Sequence, residues 1–370
     1  MTLTKMIIGA TSAIALAGAA NAAAHMSGEM TIVSWGGAYS ASQQAAYHDP
    51  YIANTGIAIL NDESSGEAVA KLRAMNEAGN ITWDLVDVIA ADGMRLCDEG
   101  LAMEIDFDSM LAPGADGSTA TEDFGETLVS DCYIPQIVFS TTFGYRTDMV
   151  PEGAAAPTGA CDVFDMDTYP GRRSLEKRPI GNMEWALICD GVAIEDVYDM
   201  LETDEGVERA FAKLDTIKDM TIWWTAGAET PQLLADGEIF MGSTYNGRLF
   251  SVIAEQNQPI GMAWGNQMLD LDGWIVPTGL PDDRLARVMD YLYFATDTQR
   301  LADQAAYISY GPARASSAPL VGNHATLGIP MAPHMPTNPE NMDGAFVTNY
   351  LWWADYRDEM DAKFQAWLAQ

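Results

Sequence analysis

Short β-forming runs alternate with a helical stretch between Met30 and Ile89, and that alternation restricts the chain to an α/β architecture. Met30-Thr31-Ile32-Val33-Ser34 reads as a strand and runs straight into Trp35-Gly36-Gly37. Ile57-Ala58-Ile59-Leu60 reads as a second strand. Ser64 and Glu67 then have the S-x-x-E spacing of a capping box. The helix behind them carries Val69, Leu72 and Met75 on one face and stops at Gly79. Trp83 to Ile89 reads as a buried strand. Strand, helix and strand in this order predict a parallel sheet covered by helices on both faces. Further on, Ala112 to Gly125 has loop composition, Ile134 to Tyr145 is an extended apolar segment, and Pro151 to Gly159 is a Pro/Ala/Gly loop. A helix is predicted from Thr203, with Val207, Ala210, Phe211, Leu214 and Ile217 in register. The final helix places Trp353, Tyr356, Met360, Phe364 and Trp367 along one packing stripe.

The N-terminus predicts export. Lys5 precedes an apolar run from Met6 to Ala20, and Ala20-Asn21-Ala22 offers small residues to a signal peptidase. The run is too short for a bilayer, and no later segment approaches the roughly 20 apolar residues of a membrane span. No Cys follows the cleavage region, which argues against a lipid anchor. The expectation is a soluble periplasmic protein, long enough for two domains. It has 53 Asp+Glu against 19 Lys+Arg and a net charge of −34, which excludes nucleic acid as a partner. Such a field attracts cations, although most of these carboxylates form a solvated surface. Cys97, Cys132, Cys161 and Cys189 allow three disulfide pairings, or none if all four are buried thiols.

Enzyme signatures are missing from the sequence: it has no G-x-S-x-G, H-E-x-x-H, P-loop or G-x-G-x-x-G. His25, His48, His324 and His334 are scattered, and neither a metal site nor a cofactor is expected. Aromatic residues instead stand beside glycine and carboxylates in four turns: Trp35-Gly36-Gly37-Ala38-Tyr39, Trp223-Trp224 with Gly227, Tyr245-Asn246-Gly247-Arg248, and Asp270-Leu271-Asp272-Gly273-Trp274. Glycine lets backbone approach a ligand, an aromatic face holds a cation, and a carboxylate supplies counter-charge. The combination suits a small amine held between aromatic walls, although any one of these rings could equally be a core residue. Loops at the carboxyl ends of strands are where α/β proteins bind ligands.

These clusters carry a family resemblance. The chain resembles the periplasmic solute-binding components of spermidine/putrescine-type ABC transporters from Ile32 to Leu368. The resemblance rests on Val33-Ser34-Trp35-Gly36-Gly37, Gly79-Asn80-Ile81-Thr82-Trp83-Asp84, Tyr169-Pro170-Gly171-Arg172-Arg173, Trp185-Ala186-Leu187, Trp223-Trp224, Thr244-Tyr245-Asn246-Gly247-Arg248, Trp274-Ile275-Val276-Pro277 and Ser309-Tyr310-Gly311-Pro312. It implies a type II periplasmic-binding-protein fold: two α/β lobes, a hinge and a central cleft that closes on ligand. The chain would cross between lobes near Phe139–Tyr145, near Asp272 and near Tyr310. After a leader over 1–22, lobe 1 would comprise 23–140 plus 272–312, and lobe 2 would comprise 141–271 plus 313–370. The partners implied are a small-molecule ligand and the membrane permease subunits of the importer, with the binding protein itself a monomer. Related chains also imply a disulfide between Cys97 and Cys132, which leaves Cys161 with Cys189 as the remaining pair.

The resemblance puts Trp35, Gly37 and Tyr39 in the cleft, a stacking ring at Tyr245 and an amine-gripping carboxylate at Asp272. Trp224 and Trp274 belong to the same clusters. Two departures bear on the ligand. Spermidine binders place Trp two residues before the gripping Asp, where this chain has Asp270. They carry acidic residues before Trp185, where this chain has Lys177, Arg178 and Glu184. A polyamine such as putrescine or spermidine is the first expectation. The alternative is an ω-amino acid such as γ-aminobutyrate, its amine on Asp270 and Asp272 and its carboxylate clamped by Arg178. A secreted hydrolase on the same scaffold, using Asp270 or Asp272 as acid or base, and a ferric-iron binder are the competing readings.

Overall fold

The computed structural model describes residues 28–370, so the expected leader, its cleavage region and His25 lie outside it. The main strands are β1 (Glu29–Val33), β2 (Ala58–Asp62), β3 (Leu85–Ile89), β4 (Ile134–Arg146), β5 (Arg173–Glu176), β6 (Thr221–Trp224), β7 (Met241–Tyr245) and β8 (Ile260–Ile275). They form one sheet in the order β2-β1-β3-β8-β4-β7-β5-β6. β1 is parallel to β2 and β3, and β5 is parallel to β6 and β7. β4 and β8 are the long members, paired antiparallel from Ile134↔Trp274 to Arg146↔Ile260 with two register shifts. β3 joins β8 at Asp272–Ile275, whereas β7 joins β4 at Thr141–Tyr145. A two-stranded ribbon therefore carries a parallel half-sheet at either end.

The inner strands β3, β5 and β7 are buried on both faces, as continuous apolar strands require, whereas the edge strand β2 is largely exposed. Alternation along a strand sends neighbours to opposite cores. Ile32 and Leu85 pack with Trp274, Tyr291 and Leu292, whereas Val33 and Val86 pack with Leu72, Leu96 and Tyr133. The other half-sheet has its own core around Trp185, Leu187, Leu214, Phe240, Trp353 and Phe364.

Helix starts follow local chemistry. Thr203 Oγ1 accepts from Gly206 N at 3.0 Å and opens the helix Asp204–Asp215. Asn349 caps the terminal helix Tyr350–Leu368, whose Trp353, Met360, Phe364 and Trp367 are buried while Tyr356 stacks on Trp352 at 4.8 Å. That helix also reaches the first half: Arg95 Nη2 lies 2.6 Å from Asp358 Oδ2, and Arg357 Nη1 lies 3.6 Å from Asp92 Oδ1.

Two local expectations change. Ser64 and Glu67 form no capping box. Residues Ser65–Glu67 make a 3-10 turn, the Ser64 hydroxyl donates to Asp62, and the helix starts at Ala68. The stretch from Ala112 to Gly125 contains a helix, Ala120–Phe124, opened by a capping box of Thr119 and Glu122. Five residues are too few to show a period.

Cys97 is bonded to Cys132 and Cys161 to Cys189, with Cα–Cα separations of 5.6 and 5.1 Å. The loops they close span 35 and 28 residues of sequence. Loops of that length restrict the unfolded chain by about 3–4 kcal/mol each in the entropic account.

Candidate ligand-binding site

The ends of β1, β3 and β7 converge where the ribbon crosses between the two half-sheets. β1 ends in Trp35-Gly36-Gly37, and both glycines take the left-handed backbone, with φ of 75° and 59°. This turn starts the helix Gly37–Gln43 and brings Trp35 and Tyr39 to the crossing. Ile89 ends β3, Ile137 and Phe139 lie on β4, Asp272 lies on β8, Tyr245 ends β7, and Arg248 lies on the following helix Asn246–Phe250. With Tyr310 these residues line a narrow recess. Beside it lies a larger, open vestibule bordered by Glu63, Glu67, Asp92, Glu176, Arg178 and Arg357, and Trp35, Tyr245 and Arg248 line both.

The recess walls are aromatic rings locked edge to face. Tyr245 meets Phe139 at 5.6 Å and Trp224 at 5.8 Å, with interplanar angles near perpendicular at 83° and 84°. Tyr310 meets Phe139 at 6.1 Å and Tyr39 at 5.9 Å. Such packing fixes ring positions before any ligand arrives. Asn246 sits behind them, its amide oxygen accepting from Ser140 N at 3.0 Å and its amide nitrogen donating to Ser309 O at 2.5 Å. One buried side chain thus ties the ribbon, the loop after β7 and the segment before Gly311.

Two opposite charges face this apolar space. Asp272 is 5 % exposed and has no ion-pair partner among the described residues; its Oδ1 accepts from Gly273 N at 3.0 Å. Burial pushes its carboxyl up to about 6. Arg248 likewise has no carboxylate partner among the described residues. Its Nε is buried without a hydrogen bond, and its Nη2 makes one long contact, 3.4 Å, to Trp35 O. Glycines make its berth: a Cβ at Gly37 would stand 2.9 Å from Nη1, and one at Gly227 would stand 2.9 Å from Nε. The guanidinium is therefore held by shape and left with donors to spare.

The predicted site residues divide into three groups. Trp35, Tyr39, Tyr245 and Asp272 line the recess; Gly37, Trp224 and Arg178 line the vestibule. Arg178 is already engaged, with Nε 2.7 Å from Glu176 Oε2, so it is a poor carboxylate clamp. Asp270 lines neither cavity. It is enclosed by burial that raises its carboxyl to about 7, within reach of the charge of Arg178, and Leu271 N donates to it at 2.7 Å. Trp274 is a core residue: it is fully buried, with Tyr47 at 5.7 Å and Tyr291 at 6.3 Å, on the side of the sheet facing the helices. Trp223 packs on Phe364 and Trp367, and Glu184 anchors Trp353 Nε1 at 2.7 Å and Gly181 N at 2.8 Å, away from the cleft.

Arg248, Phe139 and Tyr310 are missing from the sequence-based set. All three stand in segments the sequence singled out, but nothing in their spacing marks which side chains turn inward. No three His, Cys, Asp or Glu among the described residues come together as metal ligands. No described helix is long and apolar enough to cross a membrane.

Comparison with known proteins agrees with this geometry. The model of the bacterial extracellular solute-binding protein family matches residues 46–337. The chain is 34% identical over 351 residues to a gamma-aminobutyric acid-binding protein of Pseudomonas aeruginosa, covering 95% of this chain and 94% of that one. Among solved structures, a GABA receptor is 30% identical with a TM-score of 0.76 over 92% of this chain and 98% of its own. The agropinic acid complex of the periplasmic binding protein AgtB from Agrobacterium tumefaciens R10 is 27% identical, with a TM-score of 0.78 over 93% and 99%. The chain belongs to the bacterial extracellular solute-binding proteins, has their two-lobed α/β fold, and serves as the substrate-binding component of an ABC importer. That family is one of binding proteins, not of enzymes. Spermidine/putrescine-type structures, at 15% and 16% identity, share the fold alone.

Proposed function

We propose that this periplasmic protein captures a small ω-amino acid of the γ-aminobutyrate type and delivers it to the permease of its importer. The ligand's ammonium group sits on Asp272 among Trp35, Tyr39 and Tyr310, and its carboxylate is held by Arg248. One observation carries the reading: Arg248 and Asp272 are the charged side chains that line the recess, and neither has an ion-pair partner among the described residues. A polyamine needs an acid at both ends, and Arg248 repels a second ammonium group. The names of the γ-aminobutyrate-binding relatives support the same choice.

Lobe 1 is taken as 23–140 plus 272–312 and lobe 2 as 141–271 plus 313–370, hinged on the β4–β8 ribbon. Trp35, Tyr39 and Asp272 then belong to one lobe and Tyr245 and Arg248 to the other, so a ligand spanning the two charges favours closure. Isothermal titration and thermal melting with γ-aminobutyrate, putrescine and spermidine test this. γ-Aminobutyrate is expected to raise the melting temperature and the polyamines to leave it unmoved. A polyamine-only response would reverse the assignment.

A further inference from the structure

Behind Asp272 lies a second carboxyl that the recess does not expose. Asp87, on β3, is fully buried. Its Oδ2 accepts from Gln43 Nε2 at 2.5 Å and lies 3.1 Å from the Tyr39 hydroxyl. That hydroxyl has one proton, and Gln136 Oε1 is closer to it, at 2.6 Å. Asp87 Oδ1 is buried with no donor on it. Across the β3–β8 pairing Ile89 opposes Asp272, and Asp87 stands two residues back on the same face. The two carboxyls therefore share one enclosed side of the β3–β8 pairing, close enough for the charge of one to act on the other, and neither forms an ion pair among the described residues. Two carboxyl groups join only through a proton. Two full negative charges enclosed together, without a cation, are strongly unfavourable.

Given that Asp272 receives the ligand's ammonium group, we infer that Asp87 is a positioning residue: it stays protonated at neutral pH and donates to Asp272, so the pair offers one negative charge to one cation. The surroundings fit this state. Tyr39 and Tyr47 approach from the helices after β1, Tyr133 from the segment before β4, Tyr291 from the helix Asp282–Ala295, Tyr310 from the far side, and Asp270 from β8. None of these is a cation; Arg248, on the helix Asn246–Phe250, is the cation lining the recess. Burial and the charge on Asp272 hold the Asp87 carboxyl well above the usual range. Asp272, assisted by that hydrogen bond, is the member that ionises near neutrality. Ligand affinity should therefore be level above about pH 7 and weaken about tenfold per pH unit well below about pH 6, as Asp272 takes a second proton.

The first test needs no ligand. Infrared difference spectra of the full chain at neutral pH, wild type minus Asp87→Asn, should show one protonated-acid carbonyl band lost. A folded variant without that loss would mean Asp87 is ionised and would overturn the inference. Should the variant fail to fold, carboxyl NMR titration of aspartate-labelled wild type decides the same point. The second test is the pH profile of γ-aminobutyrate affinity. Asp87→Leu removes the donor and should move the acid limb up by about one pH unit, and Asp87→Asn should restore it. Limbs that coincide in all three proteins would also refute the positioning role. A protonated Asp87 in a protein that ignores γ-aminobutyrate would overturn the ligand assignment while leaving the pair intact.

Discussion

Arg314 with Asp123, and Arg248 with Asp272, put the same two kinds of side chain to opposite ends. Arg314 and Asp123 are almost completely enclosed, with Nε 2.8 Å from Oδ2. Arg314 also donates to Thr296 O and, at 2.7 Å, to Ala112 O, while Ser316 donates to both oxygens of Asp123 at 2.8 and 2.6 Å. Each charge there has its partners, and the network ties the segment after Gly311 to the helix Ala120–Phe124. In the recess, Arg248 and Asp272 line the same cavity and neither has an ion partner among the described residues. A satisfied pair holds a fold together. An unsatisfied one is what the proposed site would offer a guest carrying both opposite charges.

Breaking the satisfied pair should produce the largest effect. Asp123→Ala leaves Arg314 buried and unpaired and should cost about 3–5 kcal/mol of stability in denaturant titration. The folded fraction should bind γ-aminobutyrate as before; lost affinity would mean the two regions are coupled. Arg248→Gln should do the reverse. γ-Aminobutyrate affinity should fall about 30-fold or more by calorimetry, on the order of 2–5 kcal/mol, while melting of the free protein stays level or rises. A substantial loss of melting temperature would show that Arg248 has a structural role.

The pH response sharpens the contrast. Asp272 and Asp270 are raised by burial from 3.8 to about 6 and about 7, so the folded state holds protons more tightly than the unfolded chain. Stability of the free protein should therefore fall as pH rises from about 4 to about 7, by on the order of several kcal/mol, while affinity for ligand rises over the same range. Chemical denaturation across pH checks the first slope, and Asp272→Asn should flatten it. Gly37→Ala should cost less: a side chain at φ 59° is strained and presses on Arg248, so about 1–2 kcal/mol of stability and a few-fold loss of affinity are expected. Glu176→Gln, which frees Arg178 at the vestibule rim, should change affinity least, by less than about 1 kcal/mol.

Much of this was readable along the chain. The strands around Ile32, Ile59 and Val86 follow from apolar runs between turn residues, and the Thr203 and Gly79 helix boundaries follow from local capping chemistry. Family resemblance brought Trp35, Tyr39, Tyr245 and Asp272 forward, and all four line the recess. The residue-level reading that added Asp270, where the chain departs from the family, and Trp274, from the same cluster, put in the cleft two side chains that the recess does not include, two residues either side of Asp272. Alternation along β8 gives spacing but cannot tell which core or cavity lies beyond each face, and the two register shifts against β4 break the simple period. Arg178 failed for another reason: Glu176, two residues earlier, neutralises it, and only their conformation brings the charges to 2.7 Å.

Local sequence alone determined the alternating α/β elements, the Thr203 cap and the aromatic-glycine turns, because these depend on side chains only a few residues apart. Tertiary structure alone decided which arginine lacks an ion pair among the described residues, which aspartate lines the recess and which lies behind it. Those outcomes depend on contacts between residues far apart in the chain, such as Asp87 with Asp272 and Gly37 with Arg248. Charge and hydrogen-bonding capacity belong to a residue, but whether they are left unsatisfied is fixed only when distant segments meet.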